Sequence, residues 1–123
     1  MILADWEIEI LVKTLNMIEE FNPDNLNSFG YDLTLANKFL IPIIDYTKIS
    51  VIDPLGINKL QFQEFDGQYC ILPPNSFVLG KSIERLNVPK DVTGICVGRS
   101  TYARCGIITN VTPLEAGWKG VVT

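Results

Sequence analysis

The chain has 123 residues, 47% of them hydrophobic and 20% charged, with a formal net charge of −4. That length suits one globular domain with one core rather than a disordered tail or a multidomain chain. The acidic balance argues against a surface for DNA or RNA backbones, which needs a basic face, yet it leaves room for a small anionic ligand held by a local pair of arginines.

In chain order, residues 4–15 carry a helical pattern. Trp6, Ile10 and Leu11 fall on one side, Ile8, Val12 and Leu15 widen the stripe, and Asp5 is the expected N-cap. Residues 22–28 are loop signals. From there the pattern is β. Residues 31–35 alternate, with Tyr31, Leu33 and Leu35 on one face. Residues 39–44 form an apolar run interrupted by Pro42, which predicts an edge strand or a bulge. Residues 53–56 read as a turn. Residues 68–72 and 76–79 are short strand candidates on either side of Pro73-Pro74. Residues 83–86 read as a turn or strand end, and 88–91 as another turn. Two compact β-runs, 93–97 and 107–111, flank residues 100–104, where a helical turn would bring backbone N–H groups together. Strands this short, punctuated by Gly and Pro every 8–12 residues or about that, predict a mainly β fold with a short N-terminal helix: an antiparallel sandwich, jelly roll or distorted barrel. No linker or internal repeat divides it, so residues 1–123 are expected to be a single domain.

Absent residue types narrow the chemistry. There is no histidine, which removes Ser–His and Cys–His nucleophilic catalysis and the zinc-dependent nucleobase deaminases with their H-x-E and P-C-x-x-C ligands. Cys70, Cys96 and Cys105 are odd in number and lack C-x-x-C spacing, so they read as buried thiols in a reducing compartment rather than a disulfide framework or zinc site. No apolar run approaches the ~20 residues of a membrane span. The N-terminus carries acids where a signal peptide would be basic, and a cytoplasmic location is expected.

The richest segment is Gly98-Arg99-Ser100-Thr101-Tyr102-Ala103-Arg104. A glycine that ends a strand, two hydroxyls and two guanidinium groups around a helical turn could converge on a phosphate; the same residues also suit a capped surface helix with solvated arginines. Asp32, inside an apolar alternation, is either exposed on the polar face or paired with backbone or an arginine. Glu115 is either a pocket residue or a solvated turn residue, and Trp118 is expected to pack in the core.

The segment at 98–104 resembles the G-[RK]-S-[ST]-x-A-R motif of the dCTP deaminase family, a branch of the dUTPase superfamily, and the longer run S-T-Y-A-R-C-G-I-I-x-N-V-T-P is similar to one subgroup of it. Other segments match in order. Residues 28–35 are similar to S-x-G-Y-D-[LIV]-[RT]-[LV], residues 72–80 to L-x-P-x-S-F-x-L-[GA], and 88–92 to V-P-x-D-[VL]. One departure is Ser82-Ile83-Glu84, where the family has T-x-E. The resemblance implies a dUTPase-like distorted barrel or jelly roll. It also implies zinc-independent deamination of dCTP to dUTP and ammonia. Ser100 and Arg104 would be catalytic. The nucleotide would be bound by Arg99, Ser100, Thr101, Tyr102, Ala103, Arg104, Asn110, Val111, Thr112, Glu115 and Thr123. Magnesium would accompany the triphosphate, no residue of the chain would ligate a metal directly, and the Tyr31-Asp32 pair would be structural. dUTP and dTTP would be product or regulator, and the assembly a homotrimer, with no nucleic acid or membrane partner.

In the family the general base is a glutamate in a strand of the form G-x-[IV]-x-[LI]-E. Residues 120–123 match its start, which implies that the glutamate would follow two positions after Thr123. The chain therefore reads as a C-terminally truncated member, inactive or weakly active. A dUTP diphosphatase, a bifunctional deaminase–diphosphatase, or a non-catalytic nucleotide-binding fragment are the competing readings.

Overall fold

The computed structural model describes residues 1–44, 47, 55 and 61–123; the turn expected at 53–56 lies outside them apart from Leu55. In chain order the elements are α1 (Asp5–Leu15), a 3-10 turn (Pro23–Asn25), β1 (Leu26–Asn27), β2 (Gly30–Tyr31), β3 (Leu35–Ile43), β4 (Gln61–Asp66), β5 (Leu79–Ser82), β6 (Arg85–Asn87), α2 (Ser100–Ala103) and β7 (Lys119–Val121). The fold is mainly β with one short N-terminal helix. Among the described residues its strands form three small sheets, β1-β2, β4-β3-β5 and β6-β7, and no closed barrel. They fall into two compact units, Met1–Thr34 with Ser82–Thr123, and Leu35–Lys81.

In the first unit, α1 begins at Asp5 with Ala4, not Asp5, as its N-cap. The Glu7 carboxylate folds back to accept the Ala4 N–H at 2.8 Å, while Asp5 spends its side chain on the Trp6 N–H. The core-facing stripe also differs from the expected one. Ile8 is buried and Leu11 and Val12 pack behind it, whereas Trp6, Ile10 and Leu15 are exposed. The helix is apolar on more than one face, so periodicity alone does not choose the buried side. Ile8 joins Met17, Ile18, Leu86, Val88 and Val122 in the core, each such side chain contributing about 1.5–3 kcal/mol by its removal from water. β6 holds this core together. It pairs antiparallel with β7, Leu86 opposite Gly120, and its other edge bonds residues 17–19.

The alternation at 31–35 does not yield a continuous strand. The Asp32 N–H still bonds the Asn25 carbonyl in register with the β1-β2 pair, but the Thr34 N–H goes to the Glu84 carboxylate, so the ladder stops there.

In the second unit, β3 lies between β4 and β5 and is not an edge strand. Gly80 of β5 abuts Leu35 and Phe39, at the start of β3. Pro42 faces Phe62 of β4 and brings no N–H to the ladder. β4 carries no alternation; pairing with β3 creates it, aided by Phe39–Phe65 (centroids 6.3 Å apart) and by Phe62 edge-on to Phe77 at 6.4 Å. Residues 68–72 form no strand, and the strand expected at 76–79 occupies Leu79–Ser82 instead.

Residues 93–97 and 107–111 form no strands either. Gly94 and Leu114 exchange two backbone bonds, at 2.9 and 2.8 Å, as an isolated bridge. Without further ladder partners among the described residues, the apolar side chains at Ile95, Val97 and Ile108 stand exposed.

Candidate functional site

The Gly94–Leu114 bridge sets residues 94–98 beside 109–114, and α2 fills the connection between them. Gly98 packs directly on Thr109: a Cβ at Gly98 would stand 3.2 Å from Thr109 Oγ1 and 3.3 Å from its Cβ. The missing side chain lets the two segments close at the mouth of the turn. Within α2, the Tyr102 and Ala103 N–H groups both donate to the Arg99 carbonyl at 3.1 Å, and Arg104 N–H donates to the Ser100 carbonyl at 3.0 Å. The expected helical turn is present, but its capping differs from the expectation. Arg99 is the N-cap, with no side-chain cap bond. Ser100 and Thr101 lie inside the turn, exposed, and their hydroxyls make no hydrogen bond among the described residues.

The two guanidinium groups are in different states. Arg99 Nη1 meets Asp32 Oδ2 at 2.9 Å. Arg104 is exposed and has no ion pair among the described residues. Asp32 therefore takes the arginine-paired alternative, partly exposed, rather than standing free on a strand face. Its backbone is fixed by the bond to Asn25 at 2.9 Å and by Glu84 on both sides. Glu84 is 2% exposed. Its carboxylate accepts the Thr34 N–H at 2.9 and 3.1 Å and the Tyr31 hydroxyl at 3.4 Å. The Tyr31 oxygen in turn accepts the Asn22 N–H at 3.0 Å.

Among the remaining expected site residues, Asn110, Thr112, Glu115 and Thr123 are exposed, and Val111 is half-buried against the core. Tyr102 and Ala103 are exposed on α2. No hydrogen bond or ion pair among the described residues joins Glu115 or Thr123 to residues 99–104. Trp118 packs on the core, as its area favours. Two shallow depressions lie away from α2, one of about 480 Å³ beside Leu3, Trp6 and Ile10 and one of about 250 Å³ beside Leu15, Pro89 and Lys119. No group of three Asp, Glu, Cys or His side chains that could hold a metal occurs among the described residues. The three cysteines are free, and none is buried as expected: Cys70 and Cys96 are half-buried and Cys105 is exposed; partial burial pushes the Cys96 thiol above its ordinary pKa of 9.0.

A family model described as dCTP deaminase-like matches residues 2–123. The chain belongs to the dCTP deaminase-like family. It is 53% identical over 98 residues to the dCTP deaminase of Anaplasma phagocytophilum (strain HZ), an alignment covering 80% of this chain and 52% of that protein. It is 40% identical over 135 residues to the dCTP deaminase of Acidovorax sp. (strain JS42), covering 98% of this chain and 70% of that protein. The dCTP deaminase of Francisella philomiragia subsp. philomiragia is 41% identical with the same coverage. The chain spans between about half and seven-tenths of the length of these curated relatives.

The structure gives weight to two residues that local patterns left in the background, Asp32 and Glu84. Asp32 reads as structural from the motif around it, and its partner Arg99 is far away in sequence. Glu84 is visible as the acid of a [ST]-x-E segment, but nothing local indicates that it is buried beneath the Asp32 loop.

Proposed function

We propose that this chain provides the nucleotide-binding part of a zinc-independent dCTP deaminase, dCTP and water giving dUTP and ammonia. The observation that supports it best is the intact Gly98–Arg104 segment, folded as one turn with Ser100, Thr101 and Arg104 exposed and uncommitted to other described side chains. Family membership across residues 2–123 supports the same reading. Arg99, Ser100 and Thr101 would bind phosphate oxygens by charge-assisted and hydroxyl hydrogen bonds. Asn110, Val111, Thr112 and Glu115 would line the base and sugar side, with Tyr102, Ala103 and Thr123 at its margins.

In the reaction, water adds at C4 of the cytosine ring and the C4–N bond to the amino group breaks, releasing ammonia. Ser100 would orient the water or the amino group, and Arg104 would stabilise the charge that develops at the ring and at the base. No carboxylate among the described residues lies within hydrogen-bond reach of Ser100 or Arg104. This reading therefore leaves proton removal to a carboxylate brought in from elsewhere in the assembly. Magnesium would ride on the triphosphate, its usual mode. A homotrimer is part of the proposal, and exposed Ile95, Val97 and Ile108 offer apolar surface for a second copy. A cytoplasmic location fits the free thiols.

The test is titration of the chain with dCTP and magnesium, with ammonia and pyrophosphate measured in parallel. Saturable dCTP binding that Arg104→Ala weakens about ten- to hundredfold supports the reading. Ammonia release identifies deamination. Pyrophosphate release in its place would reassign the chemistry to the phosphate chain, and the absence of saturable dCTP binding overturns the proposal.

A further inference from the structure

We infer that Asp32 is a positioning residue for Arg99, holding its guanidinium in one orientation so that the remaining N–H groups face the phosphate chain of the nucleotide. The inference rests on the nucleotide reading above. Its first support is the contact itself. A single Nη1–Oδ2 approach at 2.9 Å engages one edge of a guanidinium that carries five N–H donors in a rigid fork. The other donors stay available for a bidentate anion contact. The Arg99 side chain is 63% exposed, so an anion can reach it. An arginine left free would surrender its rotamer freedom at the moment of binding; one held by Asp32 has already done so.

The second support is independent of Arg99. The loop that carries Asp32 is fastened at each side by a buried carboxylate. Glu84 accepts from Tyr31 on one side and from Thr34 on the other, while Asp32 itself donates its N–H to Asn25. A carboxylate as buried as Glu84, with no cation bonded to it among the described residues, is expensive to retain. All of its side-chain bonds go to the two flanks of Asp32. The arrangement is a relay: Glu84 fixes the backbone, the backbone fixes Asp32, and Asp32 fixes Arg99. Repulsion between Asp32 and an incoming phosphate is weakened because the pair faces water, so orientation outweighs the loss of net positive charge.

The experiment has two readouts on the full chain. Without ligand, ¹⁵N relaxation of the Arg Nε–Hε groups should find Arg99 more ordered than Arg104, and Asp32→Asn should release it to the mobility of Arg104. With ligand, Asp32→Asn should weaken dCTP about two- to fivefold and leave deoxycytidine, which lacks phosphates, unchanged; adding Arg99→Gln to Asp32→Asn should then cost less than Arg99→Gln alone. Arg99 equally ordered in both proteins overturns the inference. So does dCTP binding that is unchanged or tighter in Asp32→Asn, and so does an equal loss for dCTP and deoxycytidine, the mark of a merely structural role. A parent chain that binds no dCTP overturns the nucleotide reading instead, and the relaxation data still decide whether Asp32 orders Arg99.

Discussion

Ser82 and Val122 are tied to each other twice. The Ser82 N–H donates to the Val122 carbonyl at 2.8 Å, and the Val122 N–H donates to the Ser82 hydroxyl at 2.9 Å. The same hydroxyl donates onward to the Glu84 carbonyl at 2.7 Å. One side chain thus joins the end of β5, the bend before β6 and the residue after β7, all of it out of water. Ser82→Ala strands a buried N–H and a buried carbonyl, and should cost about 1–3 kcal/mol in urea unfolding. Ser82→Thr keeps the hydroxyl and should recover most of that loss. An alanine variant within about 0.5 kcal/mol of the parent, the range of a neutral surface change, would show that the hydroxyl is dispensable.

Glu84 predicts a graded series. Tyr31→Phe removes a long bond to Glu84 and the acceptor of the exposed Asn22 N–H, and should cost about 0.5–1.5 kcal/mol. Glu84→Ala removes the acceptor for the Thr34 N–H as well and leaves a cavity, so it should cost more than the tyrosine change, about 2–4 kcal/mol. Amide hydrogen exchange at Thr34 gives a local readout: its protection should fall in Glu84→Ala and survive in Tyr31→Phe.

Gly120 lies under the Trp118 indole. A Cβ there would come within 2.7 Å of Cζ2 and 3.0 Å of Cη2, closer than atoms pack, so Gly120→Ala must push the ring or the β7 backbone aside. A cost of about 1–3 kcal/mol follows from overpacking, with a change in tryptophan fluorescence. Trp6, exposed on α1, contributes a constant background, and Trp6→Phe isolates the Trp118 signal.

How much of this was legible beforehand depends on the range of the interaction. The α1 helix and the turn at α2 follow from local pattern and from residue types, and both are found. The choice of buried face on α1 is not local: Ile8, Leu11 and Val12 face inward because Met17, Leu86 and Val88 lie there. The strand expected at 31–35 stops short because the Glu84 carboxylate takes the Thr34 N–H. β4 has its phenylalanines three apart, a spacing that signals no strand until β3 supplies a partner. In the site, the residues at 98–104 are readable as a motif, whereas the Arg99–Asp32 pair joins two segments that no local pattern connects.

The cysteines make the pH-dependent case. Partial burial favours the neutral Cys96 thiol and raises its pKa above the ordinary value of 9.0, because a thiolate there loses hydration. The folded state therefore binds that proton more tightly than the unfolded state does. Its contribution to stability is complete below about pH 9 and is lost as pH rises through the folded value. Lysines and tyrosines titrate in the same region, so the informative quantity is the difference between the parent and Cys96→Ala. That difference should be flat from pH 6 to 8, roughly, and should shrink above about pH 9, as followed by thermal unfolding at closely spaced pH. Alkylation kinetics at about pH 8, still below the ordinary thiol range, supply an independent check. Exposed Cys105 should react with iodoacetamide first, with Cys96 lagging because both its burial and its scarce thiolate slow attack. Equal rates at the two positions, or a parent–variant difference that grows with alkalinity, would contradict the burial assigned to Cys96.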